Sequence, residues 1–260
     1  MKTIFFFILS FFALNFCFAS QDYFVSAPNG LLIRKFPSDS ARVIGKFEFG
    51  TRIKKIKNTD KSYSIMETGK TINGVWTWVE VTPVSNASIS LPSRIIKGYV
   101  FSGFLKKESD FVSLLTEQMK NEIDIEKYKI NVQNSVFCLQ GDFFGDGISD
   151  RVLLLEDLEK NKRIAFLNHK ENNTSEVIFL ENKNTSFDMK SYNWVGEFLK
   201  VESQETLWSN YEDGFRAFEE VPKKERVKLE YDAIYVHALE SCGGGFIFWK
   251  DGKFHWLQQE

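Results

Sequence analysis

From Tyr23 onward the chain is cut into short apolar runs by Gly, Pro, Asn, Asp and Ser. This punctuation constrains the fold more than any other feature. Short runs rich in Val, Ile, Phe and Trp read as strands, and the residues between them read as turns. "YFVSA", "LLIRKF", "RVIGKFEFGT", "RIKKIK", "NGVWTWVEV" and "GYVFSGFL" follow one another over residues 23–105. A chain so divided builds sheets, not a helical bundle.

Particular residues sharpen that reading. Pro37 lacks an N–H and breaks the second run, helped by Ser38, Asp39 and Ser40. Gly50 suits a turn with positive φ. Asn73-Gly74 predicts a two-residue hairpin turn leading into a strand where Trp76 and Trp78 alternate with Val75, Thr77 and Val79. Period two puts both Trp on one face, so both are expected in or both out. Residues 82–97 are rich in Ser and Pro and read as a long loop.

Asn29-Gly30-Leu31, Ile33-Arg34, Pro37, Ser40, Val43-Ile44-Gly45, Gly50, the Trp76/Trp78 strand and Gly98-Tyr99-Val100 occur in that order. Together they resemble the bacterial SH3 domain family over residues 22–106. The resemblance implies a small, partly open SH3-like barrel. It also implies a non-catalytic binding module of exported or envelope proteins, often for cell-wall peptide or glycan. The loop over residues 82–97 departs from the family pattern in its length. On this reading Arg34, Trp76, Trp78 and Tyr99 are the candidate ligand-binding residues. The alternatives are that Arg34 braces its own loops, as a surface Arg between strands usually does, and that at least one of the two Trp rings is core.

"KKESDFVSLLTEQMKNEI" predicts one helix within residues 107–128, capped by Ser109 or Asp110. Phe111, Leu114, Leu115 and Met119 make its apolar stripe. It is expected to link the barrel to a second β-rich domain over residues 129–260, an antiparallel sheet or sandwich. There "FWKDGKFHWL" predicts a C-terminal hairpin turning at Asp251-Gly252.

"GDFFGDGISD" carries Asp142, Asp146 and Asp150 with Gly147 between them. The spacing matches positions 1, 5 and 9 of a calcium loop, with the glycine at the sharp turn. Phe144 at position 3 and Leu153 at position 12 supply no carboxylate. The alternative is a corner whose Asp side chains accept backbone N–H groups. This segment, "RVLLL" and the Trp249–Trp256 hairpin also resemble a set of exported bacterial sequences with a GDxxGDGxxD motif, which implies a β-rich domain and no particular activity.

Residues 1–19 read as a signal peptide: Lys2, an apolar stretch too short to span a bilayer, then Cys17 and Ala19 at the −3 and −1 positions. Phe16 before Cys17 argues against a lipoprotein. No further stretch is long and apolar enough to cross a membrane, so the expectation is export to the periplasm or beyond. The net charge of −2 gives no footprint for nucleic acid. Cys138 and Cys242 remain after cleavage, as one disulfide or as buried thiols. Neither opens a helix, which a cysteine nucleophile would favour. His169, His237 and His255 lie among strand residues, and no serine-hydrolase or zinc-protease motif occurs.

The sequence therefore predicts a mainly β, exported, non-catalytic binding protein with peptidoglycan or an envelope protein as partner. It predicts no cofactor unless calcium binds at the aspartates. A cell-wall hydrolase with its site in the C-terminal domain, or an inhibitor or immunity-type protein, are the alternatives.

Overall fold

The computed structural model describes residues 22–67, 69–81, 95–134, 136–172, 174–210, 214–239 and 243–259. The leader, most of the long loop and Cys242 lie outside them. The first strands are β1 (Asp22–Val25), β2 (Leu31–Arg34), β3 (Val43–Phe47), β4 (Arg52–Glu67), β5 (Lys70–Val81), β6 (Ile96–Phe101) and β7 (Leu105–Lys107). Helix α1 (Glu108–Met119) follows. The second half holds β8 (Lys129–Ile130), β9 (Cys138–Gly141), β10 (Asp150–Glu156), β11 (Lys162–His169), β12 (Ser175–Phe179), β13 (Glu197–Val201), β14 (Thr206–Leu207), β15 (Val227–Lys228), β16 (Ala233–His237), β17 (Gly244–Lys250) and β18 (Lys253–Gln259). The protein is mainly β, with antiparallel ladders between its strands.

The first seven strands form one sheet in the order β3-β2-β6-β5-β4-β1-β7, and its ladder does not close into a barrel. The sheet nevertheless curls. Val25, Ile33, Phe47, Ile53, Val79 and Val100, drawn from six strands, pack into one buried cluster. Curling lets a single sheet bury one face on itself, which a flat sheet cannot do.

Asn73-Gly74 is not a turn. Both residues run inside β5, and the hairpin turns beyond Glu67, which lies opposite Lys70. Asn73 instead accepts a hydrogen bond from Ser64 Oγ across the ladder, at 2.6 Å. Gly74 meets a need for space: a Cβ there would stand 2.6 Å from Gly103 N. The Gly signal was genuine, but its cause is a close backbone approach from a distant segment.

In the second half a sheet ordered β12-β11-β10-β8, with β9 also on β10, packs against a sheet ordered β13-β16-β17-β18. Rings of Phe166 and Phe254 meet between them at 4.4 Å. Strands β10 and β11 are buried along "VLLL" and "IAFL" with no alternation. Such runs arise when both faces of a strand are covered. The second sheet covers one face, and α1 lies on the other, where Gln118 accepts from Arg151 Nη1. The C-terminal hairpin turns at Asp251-Gly252, at φ 50 and 78.

Helix α1 is more than a link. Phe111, Leu115 and Met119 are buried in the larger core, which also takes Phe24 from β1 and Phe49 from the first half. Phe24 stacks on Phe111 at 5.1 Å, and Phe49 meets Phe111 at 5.3 Å. The N-cap is Lys107, with no side-chain cap bond, and the expected caps Ser109 and Asp110 sit inside the first turn. Gln140 Nε2 donates to Pro28 O across the seam at 2.8 Å. Gly50, at φ 81, comes so close to the second half that a Cβ would lie 2.7 Å from Cys138 O.

Candidate functional site

Register assembles the site. Arg34 in β2 lies opposite Tyr99 in β6, Tyr99 opposite Trp78 in β5, and Trp78 opposite Lys57 in β4. Directly opposed residues share a face, so these four side chains form one row across four strands. Trp78 and Tyr99 meet edge to face at 4.8 Å, a favoured aromatic geometry. Both are half-buried, each keeping part of its ring open. Arg34 is also half-buried, and its Nη1 donates to Ala41 O at 2.7 Å. It thus braces the β2–β3 connection, and its guanidinium is held at the end of the row.

Trp76 shares the face but differs from Trp78. It lies opposite Phe101, is only 5% exposed, and packs on Tyr63 at 5.5 Å. The expectation that both Trp share one environment fails because the cover over this face ends between them. Tyr63 carries that cover on towards Asp39, with its hydroxyl 3.5 Å from Asp39 Oδ2. Three of the four expected ligand residues are therefore brought together at a surface, and the fourth lies beneath a ring. Lys57 was missed, because the pairing of β4 with β5 carries two register shifts that the sequence does not announce.

The aspartates of residues 142–150 turn inward instead. Asp142 accepts from Gly145 N at 2.6 Å and from Gly147 N at 3.0 Å. Asp146 accepts from Ile148 N, and Lys170 Nζ stands 3.5 Å from its other oxygen. Asp150 is fully buried and accepts from Phe143 N and His169 N, each at 3.0 Å. Burial pushes the Asp150 carboxyl up to about 7; the two N–H donors oppose this, and neighbouring Asp146 and Asp142 add to the rise. The carboxylates act as local backbone caps, as the corner reading expects.

Cys138 is a buried free thiol, and Cys242 lies outside the described residues. Burial pushes the Cys138 thiol up to about 12. Burial thus favours its protonated form at neutral pH. His169 Nδ1 lies 2.6 Å from Ser175 Oγ, because those residues are opposed in the β11–β12 ladder. Burial lowers the His169 pKa and favours the neutral ring. His255 Nδ1 lies near Ser186 Oγ, and its Nε2 near Lys250 O. Among the described residues, no helix is long and apolar enough to cross a membrane.

No protein-family model, curated protein or solved structure matches this chain.

Proposed function

We propose that the protein is an exported, non-catalytic binding protein of the cell envelope. Its curled seven-stranded sheet serves as an SH3-like recognition module, and peptidoglycan is its target. The observation that supports this reading is the row Arg34–Tyr99–Trp78–Lys57. It sets two partly open aromatic rings between two cations. Aromatic faces stack on sugar rings and apolar side chains, and guanidinium and ammonium groups pair with carboxylates. A polymer of glycan and carboxylate-bearing peptide offers both. The second half, a sandwich-like domain, braces the module from behind through the shared core.

The test is co-sedimentation with purified peptidoglycan at low salt. Retention is expected, and Trp78→Ala or Arg34→Ala should weaken it about tenfold, as loss of a central aromatic or arginine anchor does. No retention of the natural protein at low salt would sink the proposal. Co-purification of a stoichiometric protein partner in its place would favour the inhibitor-type alternative.

A further inference from the structure

The overall charge of −2 conceals a division between the two halves. Residues 22–107 carry 14 Lys and Arg against 6 Asp and Glu, a net of +8. Residues 108–260 carry 18 Lys and Arg against 29 Asp and Glu, a net of −11. The break falls at the start of α1, so the first sheet is the basic end of a strongly dipolar molecule.

The carboxylates of the first half do not balance its cations. Asp22, Glu48 and Glu80 are engaged by Arg52, Lys46 and Lys97. That leaves Asp39, Asp60 and Glu67. Against them stand Lys35, Arg42, Lys55, Lys61, Lys106 and Lys107, which form no ion pair among the described residues. Two of these cations crowd each other. Tyr23 lies opposite Lys107 in the β1–β7 ladder, and Lys55 Nζ stands 4.9 Å from the Tyr23 ring. Burial and the Lys107 charge lower the Lys55 pKa. Like charges held close cost free energy, and a bound anion relieves that cost.

The cations do not share a plane. Lys106 lies opposite Phe24 and Lys107 opposite Tyr23, so their side chains leave opposite faces of β7. Lys35 and Arg42 flank the β2–β3 connection, where Lys35 N donates to Arg42 O at 3.0 Å, and β3 and β7 end the sheet on opposite sides. A flat anionic surface meets one face at a time, whereas a flexible chain can follow both.

We propose that the first half binds a flexible linear polyanion, bearing regularly spaced carboxylates or phosphates, through these six cations. The acidic second half repels the same polymer and confines it to the first sheet. This attachment uses none of the residues of the aromatic row.

The experiment is fluorescence anisotropy of labelled poly-L-glutamate, labelled long-chain polyphosphate and a labelled oligothymidine, each titrated with the full mature chain, beside co-sedimentation with phosphatidylglycerol vesicles. Saturable binding of at least one of the first two polymers is expected, and the two arms tell carboxylate from phosphate. Its Kd should rise about tenfold between about 50 and 200 mM salt, as counterion release from a few contacts requires. The triple variant Lys55→Gln, Lys61→Gln, Lys107→Gln should weaken binding about tenfold. Arginine at the same three positions should preserve it, and melting curves verify that both variants fold. Lys223→Gln with Lys224→Gln, in the acidic half, should leave the titration unaltered. So should Trp78→Ala, which separates this attachment from the peptidoglycan reading. Binding of neither polymer, binding indifferent to the triple substitution, or tighter binding of vesicles or oligothymidine would each overturn the proposal.

Discussion

The aromatic row of the first sheet and the aspartate corner of the second half are both marked in the sequence by polar or aromatic residues at regular spacing. The fold uses them in opposite ways. In the row, strand period two points Arg34, Tyr99, Trp78 and Lys57 to one face and leaves two rings half-open. In the corner, Asp142, Asp146 and Asp150 bend back onto the amides of their own neighbourhood. A regular motif therefore reports a constraint without saying whether the constraint is recognition or architecture. What decides is where the hydrogen-bonding capacity of each side chain goes. The corner's capacity is largely taken up internally, and the row's rings and Lys57 remain available.

Substitution should separate the two regions most strongly in stability. Asp150→Ala leaves the amides of Phe143 and His169 without their acceptor in a buried site, at about 1–3 kcal/mol each. A loss of about 2–4 kcal/mol is expected in denaturant titration. Trp78→Ala should cost less, about 1–2 kcal/mol, because its ring is only partly covered. A larger loss for Trp78 than for Asp150 would reverse the assignment of roles.

An effect of comparable size concerns pH. The unfolded Asp carboxyl titrates near about 4, and burial raises Asp150 to about 7 in the fold. Between those values the folded state holds more protons, so this group makes stability fall as pH rises, by at most about 1.4 kcal/mol per unit. Below about 4 the effect is constant. His169, whose pKa burial lowers, acts in the opposite sense below its ordinary range. The difference between the natural protein and Asp150→Asn isolates the carboxyl. That difference should slope through pH 4–7, and a flat one would show Asp150 titrating normally.

The smallest expected effect is that of calcium. The corner's carboxylates already accept backbone N–H groups, so millimolar calcium in place of chelator should leave the melting midpoint unchanged. Because a ligand of the folded state raises stability by mass action, a rise of several degrees would restore the calcium-loop reading.

How much of this was legible in the sequence follows from the range of the forces involved. The Asp251-Gly252 hairpin and the Phe111–Leu115–Met119 stripe were legible because turn chemistry and helical period are local. The mainly β class was legible for the same reason. The Asn73-Gly74 turn was misread because what Gly74 answers to is Gly103, brought beside it only by the folded sheet. Burial of "VLLL" on both sides depends on a helix and a second sheet that strand patterning cannot place. Arg34, Tyr99 and Trp78 were each picked out from motif residues, but their alignment with Lys57 is a matter of register.

The meeting of Phe24, Phe49 and Phe111 bears on portability. A workbench biologist who clipped out residues 22–107 as a stand-alone affinity reagent would carry away two phenyl rings stripped of their lining, and the remainder would be left with the matching hole. Transplanting the first sheet would call for polar replacements at positions 24 and 49, whereas keeping the polypeptide intact would leave that junction whole.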